Sequence, residues 1–293
     1  MGRRSAAGRL PELWDRALLA YGRLMPYHPR KWRVVGWLAP RAAATWTSPR
    51  IAQRRGVWFE LDLHQFVDRF IYYLEYERWE TLFVERFVRP GWVVIDVGAN
   101  IGYFTLLLAR KVGPTGQVYA FEPAAAITAS LLRNIDLNRA SNVQTYRAAL
   151  AAQRGETSLR RGRPDNLGQT HLAVPGDPGD ELTPVTTLDA FVEEHGLTRL
   201  DFVKVDIEGA EAAFLAGAAC TLARFRPTIM IELNPTALRA LGANPTDLVR
   251  TLEGLGYVLK KTTWRGLRPL RALPAPGHYV NIVALPSGSQ VAR

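Results

Sequence analysis

The chain has 293 residues, 47% apolar and 22% charged, as expected for one large globular domain with an appendage. Its net charge of +10 is uneven: residues 1–55 hold 12 basic and two acidic residues, Glu12 and Asp15, while the remainder holds 25 of each. No window approaches the roughly 18 apolar residues of a transmembrane helix, no apolar segment follows the basic start as in a secretory signal, and the single cysteine, Cys220, excludes an intrachain disulfide and fits a cytoplasmic, reducing location.

Residues 1–55 form a basic N-terminal extension, and residues 56–293 form the main domain. In the extension, Leu10, Leu13, Trp14, Ala17, Leu18, Tyr21, Leu24 and Met25 recur at helical spacing. Pro26 and Pro29 are expected to end that helix. KWRVVGWLAPRAAATW then mixes Trp32, Trp37 and Trp46 with arginines. A basic amphipathic helix followed by tryptophans suits peripheral contact with the inner membrane surface, or packing on the protein itself or on a second subunit.

GVWFELDL (56–63) reads as a strand and residues 66–89 as one helix, stopped by Pro90-Gly91. Strands and helices then alternate. Strands are expected at 92–97, 117–122, 142–150, 200–207 and 227–234, and helices at 103–112, 124–139, 186–196, 210–225 and 245–256. Thr186 is the expected cap of the third helix in that run. Residues 158–180 read as irregular, and the insert 162–183 is expected to shape acceptor choice. Segments 257–264 and 278–286 suggest a closing antiparallel hairpin at one sheet edge. Apolar strands alternating with helices imply a parallel sheet covered on both faces.

VVIDVGANIGYFT (93–105) places Asp96 at the carboxyl end of the first core strand, where such sheets bind ligands. Gly98 and Gly102 permit positive φ and, lacking Cβ, leave room for a ligand against the backbone. The next strand ends in Glu122, placed to accept hydrogen bonds from a ribose diol. The loop is G-x-N-x-G with an acid ahead of it, not the dinucleotide fingerprint G-x-G-x-x-G. An acid there repels a pyrophosphate and attracts an ammonium group, which favours S-adenosylmethionine.

VIDVGANIGYFT (94–105), FEP (121–123), TTLDAF (186–191), VKVDIEGAE (203–211) and IELN (231–234) resemble the FkbM-type methyltransferases, a branch of the class I S-adenosylmethionine-dependent enzymes. The resemblance spans roughly 56–286. It departs from the family pattern at Glu75, where a glycine is usual. It implies a Rossmann-like, mostly parallel seven-stranded α/β sheet and O-methylation of a hydroxyl on a sugar, glycan or secondary metabolite. Carried across, Asp96, Gly98, Asn100, Gly102 and Tyr103 would line the methionine end of the cofactor, and Glu122 would hold its ribose.

A hydroxyl acceptor must lose a proton, so a base or metal is needed nearby. Lys204 and Asp206 share one face of their strand. Asp206 is the first candidate beside the acceptor, then Glu208, then Glu232, with His171 of the insert as a further candidate base. Lys204 equally reads as the neutraliser of a neighbouring acid, and Glu208 and Glu211 as favourable charges at a helix start. No His/Cys spacing suggests zinc, although clustered acids suit Mg²⁺. DIEG stands where enzymes methylating base amines carry Asn/Asp-Pro-Pro-aromatic, so no nucleic-acid partner is expected. RNA ribose or protein as acceptor, or a cofactor-binding module without turnover, stay as alternatives.

Overall fold

The computed structural model describes residues 9–25, 28–44, 46–174, 176–275 and 277–289, with side chains in the first helix from Leu13 onward. Pro26, expected to end that helix, lies outside the described residues. The chain forms two compact units. One runs to Arg78 and includes Arg163–Gly168; the other is Trp79–Gly162 with Gln169–Arg293.

The first unit contains α1 (Arg9–Leu24), α2 (Pro29–Ala43), β1 (Arg50–Arg54), β2 (Val57–Leu61) and α3 (Phe66–Tyr73). Pro29 does not end α1; it opens α2, where its missing N–H costs nothing. The hairpin β1–β2 bridges the expected boundary at 55/56: Arg54 pairs with Val57 around Arg55 and Gly56, whose φ values of 51° and 78° suit a tight two-residue turn. The chain leaves the helical path after α3, and Glu77 takes φ 38°. The single helix expected over 66–89 is therefore two. Neither glycine nor proline marks the break, so periodicity ran through it. Glu75 there pairs with Arg55 and Arg78. From the insert, the Asp165 carbonyl accepts the Phe66 N–H and the Gln65 carboxamide donates to Pro164 O.

The second unit begins with α4 (Arg78–Phe87), β3 (Val93–Val97), α5 (Tyr103–Val112), β4 (Gln117–Phe121), α6 (Ala125–Asn138) and β5 (Val143–Tyr146). It continues through β6 (Ala149–Leu150), β7 (Gly155–Arg160), β8 (His171–Leu172), β9 (Glu181–Thr186), α7 (Leu188–Glu194) and β10 (Phe202–Val205). It closes with α8 (Glu211–Ala216), α9 (Ala219–Phe225), β11 (Thr228–Leu233), α10 (Pro235–Ala240), α11 (Pro245–Gly254), β12 (Tyr257–Lys261), β13 (Arg268–Pro269) and β14 (Val280–Pro286).

The main sheet runs β13-β12-β14-β11-β10-β3-β4-β5. Seven strands form the expected sheet, and the two-residue β13 extends its edge. Strands β11, β10, β3, β4 and β5 are parallel neighbours. β14 inserts antiparallel between β11 and β12, so the final pair is antiparallel but not a simple edge hairpin. The chain builds outward from β3 through β4 to β5, then returns to place β10 on the other side of β3. That reversal opens a crevice beyond the carboxyl ends of β3 and β10. On one face, Ile95, Val97, Val203, Val205, Ile229 and Ile231 pack with Phe191, Phe214 and Leu222. On the other, Phe83 and Phe87 of α4 stack 4.9 Å apart and both approach Phe202.

Several local expectations are corrected. Residues 142–150 are two strands in two sheets, because the second pairs with β9 instead of continuing beside β4. Within the stretch read as irregular, residues 158–160 end β7 and residues 171–172 form β8, two strands of a four-stranded sheet, β6-β9-β7-β8. Thr187, not Thr186, caps α7 by accepting the Ala190 N–H at 3.0 Å; Thr186 is still in a strand. The helix expected over 210–225 breaks at Gly217-Ala218 into α8 and α9.

Candidate active site

β3 and β10 align Asp96 directly opposite Lys204. Strand alternation sends both toward α5, and Asp206, two residues beyond Lys204, follows. The Lys204 Nζ donates to Asp206 Oδ2 at 3.0 Å and lies 4.9 Å from the Phe104 ring centroid. Thr105 Oγ1 donates to Asp96 Oδ2 at 2.6 Å. Lys204 is buried, Asp206 half-buried and Asp96 wholly buried at 0% exposure. A lysine between two acids is the arrangement that makes burial of these charges tolerable. Burial holds Asp96 above the ordinary carboxylate range, opposed first by Lys204 and then by Thr105.

The loop above this stack is tighter than its sequence suggests. Gly98 has φ 79°, and a Cβ there would stand 1.9 Å from the Asp206 carbonyl oxygen. Gly102 has φ 94°, and a Cβ would reach Leu131 Cδ1 at 2.7 Å. A side chain at either glycine would meet the protein itself, so both are needed for the loop to approach the turn after β10 and α6 this closely. Asn100, at φ 50°, turns its Oδ1 to the Ile101 N–H, and the buried Asn134 donates to Ile101 O at 2.8 Å. Tyr103 is buried, its hydroxyl 3.1 Å from Thr81 Oγ1.

Glu122 follows β4. Its Oε2 accepts the Asn100 N–H and its Oε1 the Ala124 N–H, each at 3.0 Å. Burial pushes its carboxyl up to about 7 against those two donors. Each oxygen keeps a further acceptor site. Asp96 Oδ1 is buried with no hydrogen-bond partner among the described residues, and such an atom calls for a ligand or a water. These acceptors fit a ligand carrying an amino head and a ribose diol. Asp96 and Glu122 are both buried, whereas Asp206 and Glu208 are half-buried.

The DIEG turn carries the remaining acids. Glu211, wholly buried, accepts the Ile207 and Gly209 N–H groups on Oε1, both at 3.2 Å. It braces the turn from inside, and burial raises it to about 7. Glu208 is half-buried at φ 52°, a backbone region costly for a residue with a side chain. Burial first, then Asp206 and Glu211, push it up to about 8. Glu232 directly follows Ile231, the partner of Val205, so it stands level with Asp206. His171 is placed differently: it lies on β8 of the small sheet with Nδ1 2.9 Å from Gln169 O, and the carboxylate whose charge it feels is Asp177 of the insert. No group of three or more His, Cys, Asp or Glu side chains is arranged to hold a metal among the described residues. Thr105 ends the stretch 94–105 that carries the resemblance but was not singled out in it, and Asn134 lacked any sequence signal, since only the fold brings their side chains to Asp96 and the loop.

If Glu122 receives the ribose as an ionised carboxylate, S-adenosylmethionine affinity rises as pH climbs through about 7. In Glu122→Gln the affinity is lower and that pH dependence is gone. Titration calorimetry below and above neutrality reads both; a pH-dependent Glu122→Gln contradicts the assignment.

The strand order, with an acid-bearing loop at the reversal between β3 and β10, defines a class I, Rossmann-like methyltransferase fold. The chain belongs to the FkbM family: the model for the methyltransferase FkbM domain matches residues 96–259, over half its length. It is 33% identical over 159 residues to 31-O-demethyl-FK506 methyltransferase FkbM of Streptomyces tacrolimicus, covering 44% of this chain and 60% of that one. It is 29% identical over 143 residues to Methyltransferase 1 of Beauveria bassiana, covering 42% and 57%. The chain therefore spans less than two thirds of these relatives. Among solved structures, methyltransferase FkbM from Methylobacillus flagellatus KT aligns over 74% of this chain and 54% of that one, at 18% identity and a TM-score of 0.42.

Proposed function

We propose that this protein transfers the methyl group of S-adenosylmethionine to a hydroxyl of a small molecule or glycan. The observation that carries the reading is the Lys204–Asp206 pair at the sheet reversal, beside the buried Asp96 and Glu122. The name of the Streptomyces tacrolimicus relative, an O-demethyl-FK506 methyltransferase, supports oxygen as the acceptor atom.

When bound, the cofactor supplies an electrophilic methyl on a sulfonium. Glu122 accepts the ribose hydroxyls while the Asn100 and Ala124 N–H groups hold its carboxylate in place. Asp96 contributes negative field from its buried position. Lys204 fixes the Asp206 carboxylate through the 3.0 Å hydrogen bond, leaving the half-buried acid to take the acceptor's proton. Alignment of acceptor and donor supplies on the order of 7–11 kcal/mol in favourable cases. A positioned base adds about 10²–10⁴-fold.

Asp206→Asn is expected to bind S-adenosylmethionine within a few-fold of wild type and to lose about 10²–10⁴-fold in transfer. Mass spectrometry of products labelled from methyl-deuterated cofactor, across hydroxylated acceptors, reads the transfer. Full turnover by Asp206→Asn removes it as the base and moves the role to Glu208.

A further inference from the structure

Helix α1 carries two apolar faces, and only one is covered. Asp15, Leu18 and Gly22 are buried, and Asp15 accepts a hydrogen bond from the Tyr73 hydroxyl at 2.5 Å. The opposite stripe, Leu13, Ala17, Ala20 and Leu24, recurs at helical spacing and is exposed, with Trp14 and Met25 beside it. Trp14 is 67% and Leu24 83% exposed. The apolar spacing of α1 therefore does not mean that its whole stripe is packed. In α2, Lys31, Val35, Ala39 and Ala42 are buried while Arg33, Trp37 and Arg41 share an exposed face. Trp37 is 63% exposed, and the Arg41 guanidinium sits 4.3 Å from its ring centroid.

Charge decides the occupant. Arg16, Arg23, Arg30, Arg33 and Arg41 are exposed, and among the described side chains of both helices the one acid, Asp15, is buried. A second copy meeting this surface through a twofold axis would set arginines against arginines. Nucleic acid would gain nothing from leucine and alanine. An anionic bilayer satisfies both parts: the apolar stripe enters the headgroup boundary, tryptophans favour that layer, and arginines meet the lipid phosphates. No described helix is long and apolar enough to cross a membrane. We propose that the exposed face of α1, with the arginines of α1 and α2, docks this protein on the headgroup layer of an anionic lipid bilayer. This inference stands apart from methyl transfer.

The test is co-sedimentation of the full chain with phosphatidylcholine vesicles, with and without phosphatidylglycerol. Wild type is expected to bind the anionic vesicles and scarcely the neutral ones. Trp14→Ser/Leu24→Ser should weaken binding about tenfold or more, and each of Arg16→Gln, Arg23→Gln and Arg33→Gln about fivefold, at unchanged melting temperature. Should the double variant fold poorly, the arginine series gives the same reading. Absence of wild-type binding, equal binding to both vesicles, or binding unaffected by the substitutions overturns the proposal. So does a lipid-free oligomer that Trp14→Ser/Leu24→Ser dissociates, which assigns the face to a second copy.

Discussion

Gly98→Ala is expected to cost the methyltransferase unit at least about 3 kcal/mol, combining positive-φ strain with a collision against fixed backbone. The added methyl would stand 1.9 Å from the Asp206 carbonyl oxygen, so β3 and β10 must part where the site forms. Gly196→Ala is the control. Its φ of 58° is also positive, in the left-handed turn that ends α7, but nothing lies within 4 Å of the added carbon. That change should cost only about 1–2 kcal/mol. Thermal melts of the two variants separate close approach from backbone strain. Equal losses contradict the close approach, and a Gly98→Ala protein that melts and binds S-adenosylmethionine like wild type contradicts the loop's role.

Lys204→Met is expected to destabilise by about 3–5 kcal/mol, the usual result of removing one partner from a buried ion pair. It leaves Asp96 buried beside Thr105 without the cation that offsets its burial, and frees the Asp206 carboxylate from its anchor. The sign with pH follows. Asp96 already titrates above its ordinary value of 3.8 in the folded state, and loss of Lys204 raises it further. Above 3.8 the unfolded chain gives up the proton while the folded variant keeps it, so the variant's stability falls as pH rises through that window. The deficit relative to wild type should be smallest in mild acid and largest above neutrality. Urea denaturation at both pH values measures it; a deficit independent of pH would mean that Lys204 serves packing rather than charge.

Much of this site could be read from residues because its signals are local. Alternation alone places Lys204 and Asp206 on one face, and the strand–acid–glycine run marks the turn into α5. Gly98 has a second part that sequence does not show. A glycine with positive φ looks the same in sequence whether a ligand or another segment approaches it, and here the turn after β10, over a hundred residues away, stands where a Cβ would be. The partners of Thr105 and Asn134 were silent because they depend on helix docking. The small sheet was missed because β6 and β8 are two residues each and β7 is polar, giving too few alternations to register. Periodicity also cannot say which apolar stripe is covered. In α1 the spacing was right, yet most of the apolar residues it marked face outward.

A crystal structure with S-adenosylhomocysteine bound tests the placement of the site most directly. The nucleoside should lie beyond the carboxyl ends of β3, β4 and β10, its ribose hydroxyls on Glu122, its amino-acid end along residues 98–102, and its sulfur facing Asp206. A nucleoside bound elsewhere, or one leaving the Glu122 oxygens with the Asn100 and Ala124 N–H groups alone, would contradict it.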